Sequence, residues 1–291
     1  MRQVYFRITD KCNLKCRHCC YSCGPDGKSI SPENLEKVID NIPEDTIYLT
    51  ISGGEVFAVK DVLMHALDYI TEKNKERNKE GITPISIQVI TNGFWVKETE
   101  QTFKIIHELY NKGVRTLAIG SNDRYHREQG INLKMLDPYG NESPLAIALK
   151  MLKEKLEYKG GMKVEMPFEI KRAFAASFGR AKKLPAKERD DNQHCIATYM
   201  FPEQIAINPD GSVYPCCWAA TPSIGSALND NLEKIANRTM KDKIFRRLVT
   251  EGPRGVAKQI GYYKEKDEML YRAKQCVMCM ELFEEIKNGR I

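Results

Sequence analysis

Long apolar runs are missing from this chain. No stretch of its 291 residues approaches the length of a membrane span, so no spanning helix is expected. No secretion signal opens it either: Met1-Arg2-Gln3 leads straight into an apolar-alternating run. Internal repeats, low-complexity tracts and basic arms are absent too. The formal net charge is +6, and the lysine-rich run 73–79, with Glu76 inside it, reads as a solvated helix end. Nucleic-acid and membrane partners are therefore not indicated. What remains is a cytoplasmic globular chain, long enough for one large domain and a smaller one.

Cysteine is what the chain has in quantity. Ten are present. Without a secretory route they point to metal binding rather than to cross-links. Cys12, Cys16 and Cys19 sit in the run Thr9-Asp10-Lys11-Cys12-Asn13-Leu14-Lys15-Cys16-Arg17-His18-Cys19, a C-x3-C-x2-C spacing. An iron–sulfur cluster is normally held by four thiolates. Three leave one iron of a [4Fe–4S] cluster without a protein ligand, open to a small molecule that can receive an electron. Zinc is the alternative, with His18, Cys20 or Cys23 as fourth ligand.

Further motifs lie at the ends of strand-like runs. Residues 4–8, 46–51, 85–90 and 116–119 read as strands. The second leads to Ser52-Gly53-Gly54-Glu55. Its Gly–Gly pair lets backbone come close to a ligand, and its carboxylate can accept from an ammonium group. The third leads to Thr91-Asn92-Gly93-Phe94, and the fourth to Gly120-Ser121-Asn122-Asp123-Arg124-Tyr125-His126. Helical patterns cover 33–41, opened by Ser31-Pro32, and then 59–75, 98–112 and 144–158. Residues 131–136 read as a short strand or a loop, and 162–170 as a strand. Strands alternating with helices predict a parallel sheet with ligand groups at its C-terminal edge.

The remaining cysteines come late. A polar tract, 187–194, reads as a linker before Cys195. Asn208-Pro209-Asp210-Gly211 between alternating runs predicts a hairpin ending at Cys216-Cys217. Cys276 and Cys279 form a C-x2-C pair. Cys195, Cys276, Cys279 and one of Cys216 or Cys217 make a four-thiolate set for zinc or for an iron–sulfur cluster. The polar tract 264–274 reads as a helix, either over the site or on the surface.

Together these motifs resemble the radical S-adenosylmethionine (SAM) enzymes, with His18 where that family usually has an aromatic residue. The resemblance implies an α/β fold: a partial (β/α)6 TIM-like barrel over 1–186, then a small β-hairpin and helix domain over 187–291. That second domain resembles the twitch type, a shortened relative of SPASM. SAM and two [4Fe–4S] clusters are implied, the first on Cys12, Cys16 and Cys19, the second on Cys195, Cys216, Cys276 and Cys279. By the same resemblance Gly53, Gly54 and Glu55 meet the SAM amino group. Asn92 and Ser121 lie near the ribose and the methionine carboxylate, and Arg127 is the carboxylate partner. The run Phe178-Gly179-Arg180-Ala181-Lys182 resembles a segment that closes the barrel. Tyr125, His126 and Arg180 are substrate-pocket candidates by position.

Within that family, Cys19-Cys20-Tyr21-Ser22-Cys23, Gly53-Gly54-Glu55-Val56-Phe57 and Tyr214-Pro215-Cys216-Cys217 resemble the peptide epimerases that make epipeptides. Those enzymes convert L-residues to D-residues in a ribosomally made peptide. As in them, the residues before Cys12 are too few for a peptide-recognition domain. The resemblance makes Cys216 a cluster ligand and Cys217 the hydrogen donor. It implies a precursor peptide as substrate, a flavodoxin or ferredoxin as electron donor, and a monomer. A peptide cross-linking maturase (thioether or C–C) and a twitch-type small-molecule dehydrogenase are the alternatives, with a two-cluster electron carrier as a third. Cys20 and Cys23 are each read as a buried structural thiol or a second hydrogen donor, and the sequence does not decide between the two.

Overall fold

The computed structural model describes residues 1–161, 163–172, 179–185, 188, 195, 197–217, 219, 221–262 and 275–289. Its first strand sets the plan. Along β1 (Gln3–Thr9), Val4, Phe6 and Ile8 are buried on one face, while Tyr5, Arg7 and Thr9 take the other. Next to β1 stand β2 (Tyr48–Gly53), β3 (Ser86–Thr91), β4 (Val114–Ile119) and β5 (Glu169–Arg172), all parallel, in the order β5-β4-β3-β2-β1. Parallel strands need crossovers, and helices supply them: α1 (Pro32–Asp40), α2 (Lys60–Lys79), α3 (Thr99–Asn111), the short α4 (Arg124–Glu128) and α5 (Pro144–Gly160). Ser31 caps α1 through Asn34 N, with Pro32 in the first turn, as the sequence predicts. Leu35, Leu63, Leu67, Ile106, Leu109 and Leu149 share one core with the apolar face of the strands.

On the other side of β1 lies β6 (Gln204–Ile207), parallel to it from Gln3↔Gln204 to Phe6↔Ile207. It turns through Asn208–Gly211 into β7 (Ser212–Tyr214), and β8 (Gly225–Ser226) follows, both antiparallel. The late hairpin therefore extends the barrel sheet. Among the described residues, eight strands run in one open sheet with β5 and β8 at its ends. The remaining helices among the described residues are α6 (Ala197–Met200), α7 (Leu232–Thr239), α8 (Lys243–Gln259) and α9 (Gln275–Lys287). α8 breaks at Gly252, whose φ of 74° precedes Pro253. It packs on α9 through Leu248, Val256, Met278, Leu282 and Phe283.

One open sequence reading is decided against a strand, and another changes. Within 131–136, residues Leu133–Leu136 form a 3-10 turn capped by Asn132. The strand expected over 162–170 begins only at Glu169, because Pro167 has no N–H to give a neighbouring strand. The expected domain boundary at 186/187, most of the linker 187–194, Phe178 and the tract 264–274 lie outside the described residues. No described helix is long and apolar enough to cross a membrane.

Candidate active site

The C-terminal ends of β1 to β4 bring the motifs together. After Thr9 the chain loops out to residue 30 and folds back over the strand ends. Asp10 N donates to Lys28 O (2.7 Å), Cys12 N to Gly24 O (2.9 Å) and Ile30 N to Ile8 O (3.0 Å). A Cβ on Gly53 would lie 2.6 Å from Thr9 O, and one on Gly54 would lie 2.5 Å from Lys11 O. These glycines therefore let the cysteine loop seat against β2. The sequence suggested close approach of a ligand to this backbone; the close approach seen here is that of the chain's own backbone.

Cys12, Cys16 and Cys19 line one cavity of about 390 Å³, shared with Gly53, Gly54, Asn92 and Arg180. Cys12 Sγ accepts from Leu14 N (3.4 Å) and lies 3.9 Å from Asn92 Nδ2. Burial pushes the Cys12 thiol up to about 11 and the Cys16 thiol to about 12. A bound cation would reverse that shift by favouring the thiolates. Cys19 runs the other way, lowered to about 5 chiefly by a hydrogen bond from Cys23.

Glu55 is placed differently from the expectation. Its side chain is 1 % exposed. One carboxylate oxygen accepts from Phe57 N (3.0 Å) and Thr91 Oγ1 (2.8 Å), the other from Asn92 N (2.6 Å). Burial raises its pKa against those bonds. The carboxylate ties the end of β2 to the end of β3 and does not line the thiol cavity. Ser121 is fully buried with its hydroxyl unpartnered, and it lines a second cavity of about 750 Å³ with Asn122, Asp137 and Glu142. Arg127 is exposed on α4 and lines none of the described cavities. Arg180 is the cation at the thiol cavity. Its Nε donates to Cys16 O (2.8 Å) while Nη2 is buried with no partner.

His18 and His126 also line the cavity. The His18 ring stacks on Tyr125, with centroids 4.6 Å apart, and meets His126 edge-on at 4.9 Å. Asp123 Oδ2 lies 2.6 Å from His126 Nδ1 and 3.5 Å from His18 Nε2. Burial works against the Asp123 carboxylate, but the bonds to His126 and His18 outweigh it and hold its pKa well below the usual range. His18 Nδ1 is buried without a partner. Thus two polar atoms, Arg180 Nη2 and His18 Nδ1, stand unsatisfied beside three thiols. This set fits a cluster of iron and sulfide with a polar ligand on its open iron.

The second thiol set gathers as well. Cys195, Cys216, Cys276 and Cys279 are each buried, and the charges of the other three raise Cys279 after burial itself. Gln275 Oε1 accepts from Cys195 N (2.8 Å), joining α9 to the segment before α6. Four closely grouped thiols with no described cavity beside them suit a fully ligated cluster. Cys217, next in the chain, turns instead to the first cavity. Burial, with Cys216 and Cys20 nearby, raises its pKa far above the ordinary thiol value.

Pattern reading missed the wall facing these groups. Tyr5, on the polar phase of β1, donates to Ser52 Oγ (2.7 Å). The Arg7 guanidinium lies 3.5 Å over the Tyr21 ring, and the Tyr21 hydroxyl donates to Cys217 O. The period-two alternation of β1 was the signal that could have found Tyr5 and Arg7.

Comparison with known families decides the class. The radical SAM superfamily profile matches residues 6–159, and that of an iron–sulfur cluster-binding domain, SPASM, matches 195–279. The chain belongs to the radical SAM superfamily. This radical SAM chain binds SAM and a [4Fe–4S] cluster, with further iron–sulfur ligation in its SPASM region. One relative is YydG of Bacillus subtilis (strain 168), named for peptide biosynthesis. It is 24% identical over 260 residues, covering 82% of this chain and 76% of YydG. AlbA of the same organism, named for biosynthesis of the antilisterial bacteriocin subtilosin, is 23% identical over 283 residues. That match takes in 82% of this chain and 60% of AlbA, so the chain spans less than two thirds of that relative. The crystal structure of BtrN in complex with AdoMet and 2-DOIA shares the fold, with a TM-score of 0.52 at 11% identity over 88% of this chain and 89% of BtrN.

Proposed function

We propose that this radical SAM chain is a peptide epimerase, inverting residues of a ribosomally made precursor peptide by removing a Cα hydrogen and returning another from a thiol. One observation carries the reading: neighbouring cysteines are divided between two sites. Cys216 stands with Cys195, Cys276 and Cys279, while Cys217 lines the cavity of Cys12, Cys16 and Cys19. A ligating thiol has lost its proton, whereas a thiol outside the ligand sets keeps the S–H hydrogen needed for return. The names of YydG and AlbA support a peptide substrate.

When bound at Cys12, Cys16 and Cys19, the cluster and SAM supply a carbon radical able to take hydrogen from carbon. The protein's own groups position and enclose. In this reading Arg180 takes the SAM carboxylate in place of Arg127, supported by its buried, unpartnered Nη2 and its position on the cavity. Asn92 fixes Cys12, and Glu55 fixes Asn92. Tyr21 holds the Cys217 backbone, and with it the thiol, at the cavity wall. Electrons come from a flavodoxin- or ferredoxin-class donor.

The test uses reconstituted enzyme, SAM, a reductant and the precursor peptide in D2O. One solvent deuterium gained per inverted residue, and none with Cys217→Ala despite continued SAM cleavage, is the expected result. Loss of two hydrogens without deuterium gain would sink the epimerase reading in favour of cross-linking or dehydrogenation.

A further inference from the structure

Cys20 belongs to neither ligand set, yet it stands between the two. It lines the thiol cavity together with Cys217. It also packs against Cys276 of the second set. Its backbone is held from outside the loop. Arg180 N donates to Cys19 O (3.0 Å), and Gly179 comes so close that a Cβ there would lie 2.4 Å from Cys20 O. The next residue, Tyr21, donates its hydroxyl to Cys217 O under the Arg7 guanidinium. The loop carrying Cys20 and the loop carrying Cys217 are thus pinned to one another beside a shared cavity.

We propose that Cys20 is the second thiol of the hydrogen-returning site, a role that rests on the epimerase reading. Once Cys217 has given its hydrogen atom to the substrate carbon, it is a thiyl radical facing a fresh Cα–H bond. Left there, it can take the hydrogen back. Cys20 offers another route: its S–H bond breaks, an S–H bond forms on Cys217, and the unpaired electron now resides on the Cys20 sulfur. Equal bonds are broken and made, so the exchange is close to thermoneutral and no net oxidation occurs. One electron from a low-potential flavin or iron–sulfur protein, with one proton from water, then restores the Cys20 thiol. The radical leaves the product, and Cys217 is rearmed.

The experiment compares wild-type holoenzyme with Cys20→Ala and Cys20→Ser in D2O. Both clusters are checked by electron paramagnetic resonance before assay. In both variants, product should stop at about one equivalent per enzyme while the wild type continues. Serine nearly fills the space of cysteine, but its O–H bond is too strong to donate, so a packing role would be rescued by it and a hydrogen-atom role would not. A second readout needs no turnover: mild oxidation of the wild-type holoenzyme with diamide, then peptide mapping, should recover a Cys20–Cys217 disulfide. Continued turnover in both variants, or failure to trap that disulfide, overturns the proposal. If the wild type itself incorporates no deuterium, the epimerase reading has failed and the assignment of Cys20 falls with it.

Discussion

The two thiol sites of this protein are built on opposite plans. Cys12, Cys16 and Cys19 lie on one loop, around a cavity with unsatisfied polar groups in its wall. Cys195, Cys216, Cys276 and Cys279 come from three distant segments and close on one another, with no described cavity at their centre. An open site leaves room for a small molecule on the metal, and a closed one does not. Openness, more than the count of cysteines, separates a site for chemistry from a site for electron handling or support. Cys216 and Cys217 show how little sequence distance is needed to pass between them.

Removing a thiol from each site should break that contrast most sharply. Cys12→Ala is expected to abolish SAM cleavage and to remove about half of the iron, read by deoxyadenosine assay and iron analysis. Cys279→Ala should remove the other half and lower the melting temperature by several degrees, because ligand binding there joins α9 to Cys195 and Cys216. A smaller effect is expected at the polar wall. Arg180→Ala should weaken SAM binding by about tenfold, as for loss of a charge-assisted contact, while Arg127→Ala leaves it unchanged in calorimetry. If the two arginines exchanged these outcomes, the assignment of the cavity's cation would be wrong. Smallest is Glu55→Gln, which keeps the shape but offers an NH2 where an oxygen accepted a buried N–H. A cost of about 1–3 kcal/mol follows, seen as a melting shift of a few degrees.

Much of the frame was legible because strand and helix periods are local. Val4, Phe6 and Ile8 alternate, Ser31-Pro32 opens α1, and Asn208–Gly211 turns the hairpin, each within a few residues. Direction and burial were not legible. Glu55 follows two glycines and resembles a ligand, but its carboxylate is turned inward by three donors, two of them on β3 and the residue after it. Arg127 and Arg180 look alike as letters, and only the fold leaves one exposed and half-buries the other, with its Nη2 enclosed. β5 is four residues long, too short for an alternation to fix its bounds, and the strand expected over 162–170 runs from Glu169 to Arg172. The pairing of β6 with β1 spans some two hundred positions, beyond any local pattern.

The cysteine loop is finished by residues made long after it. Arg180 secures the carbonyls of Cys16 and Cys19, and the carbonyl of Cys217 receives Tyr21. A chain emerging from the ribosome therefore carries its first three thiols well before the last of the groups that seat them, Arg180, exists. Completion of the cysteine loop is in this sense a late event, and a chain that ends before Arg180 lacks the donors to the Cys16 and Cys19 carbonyls.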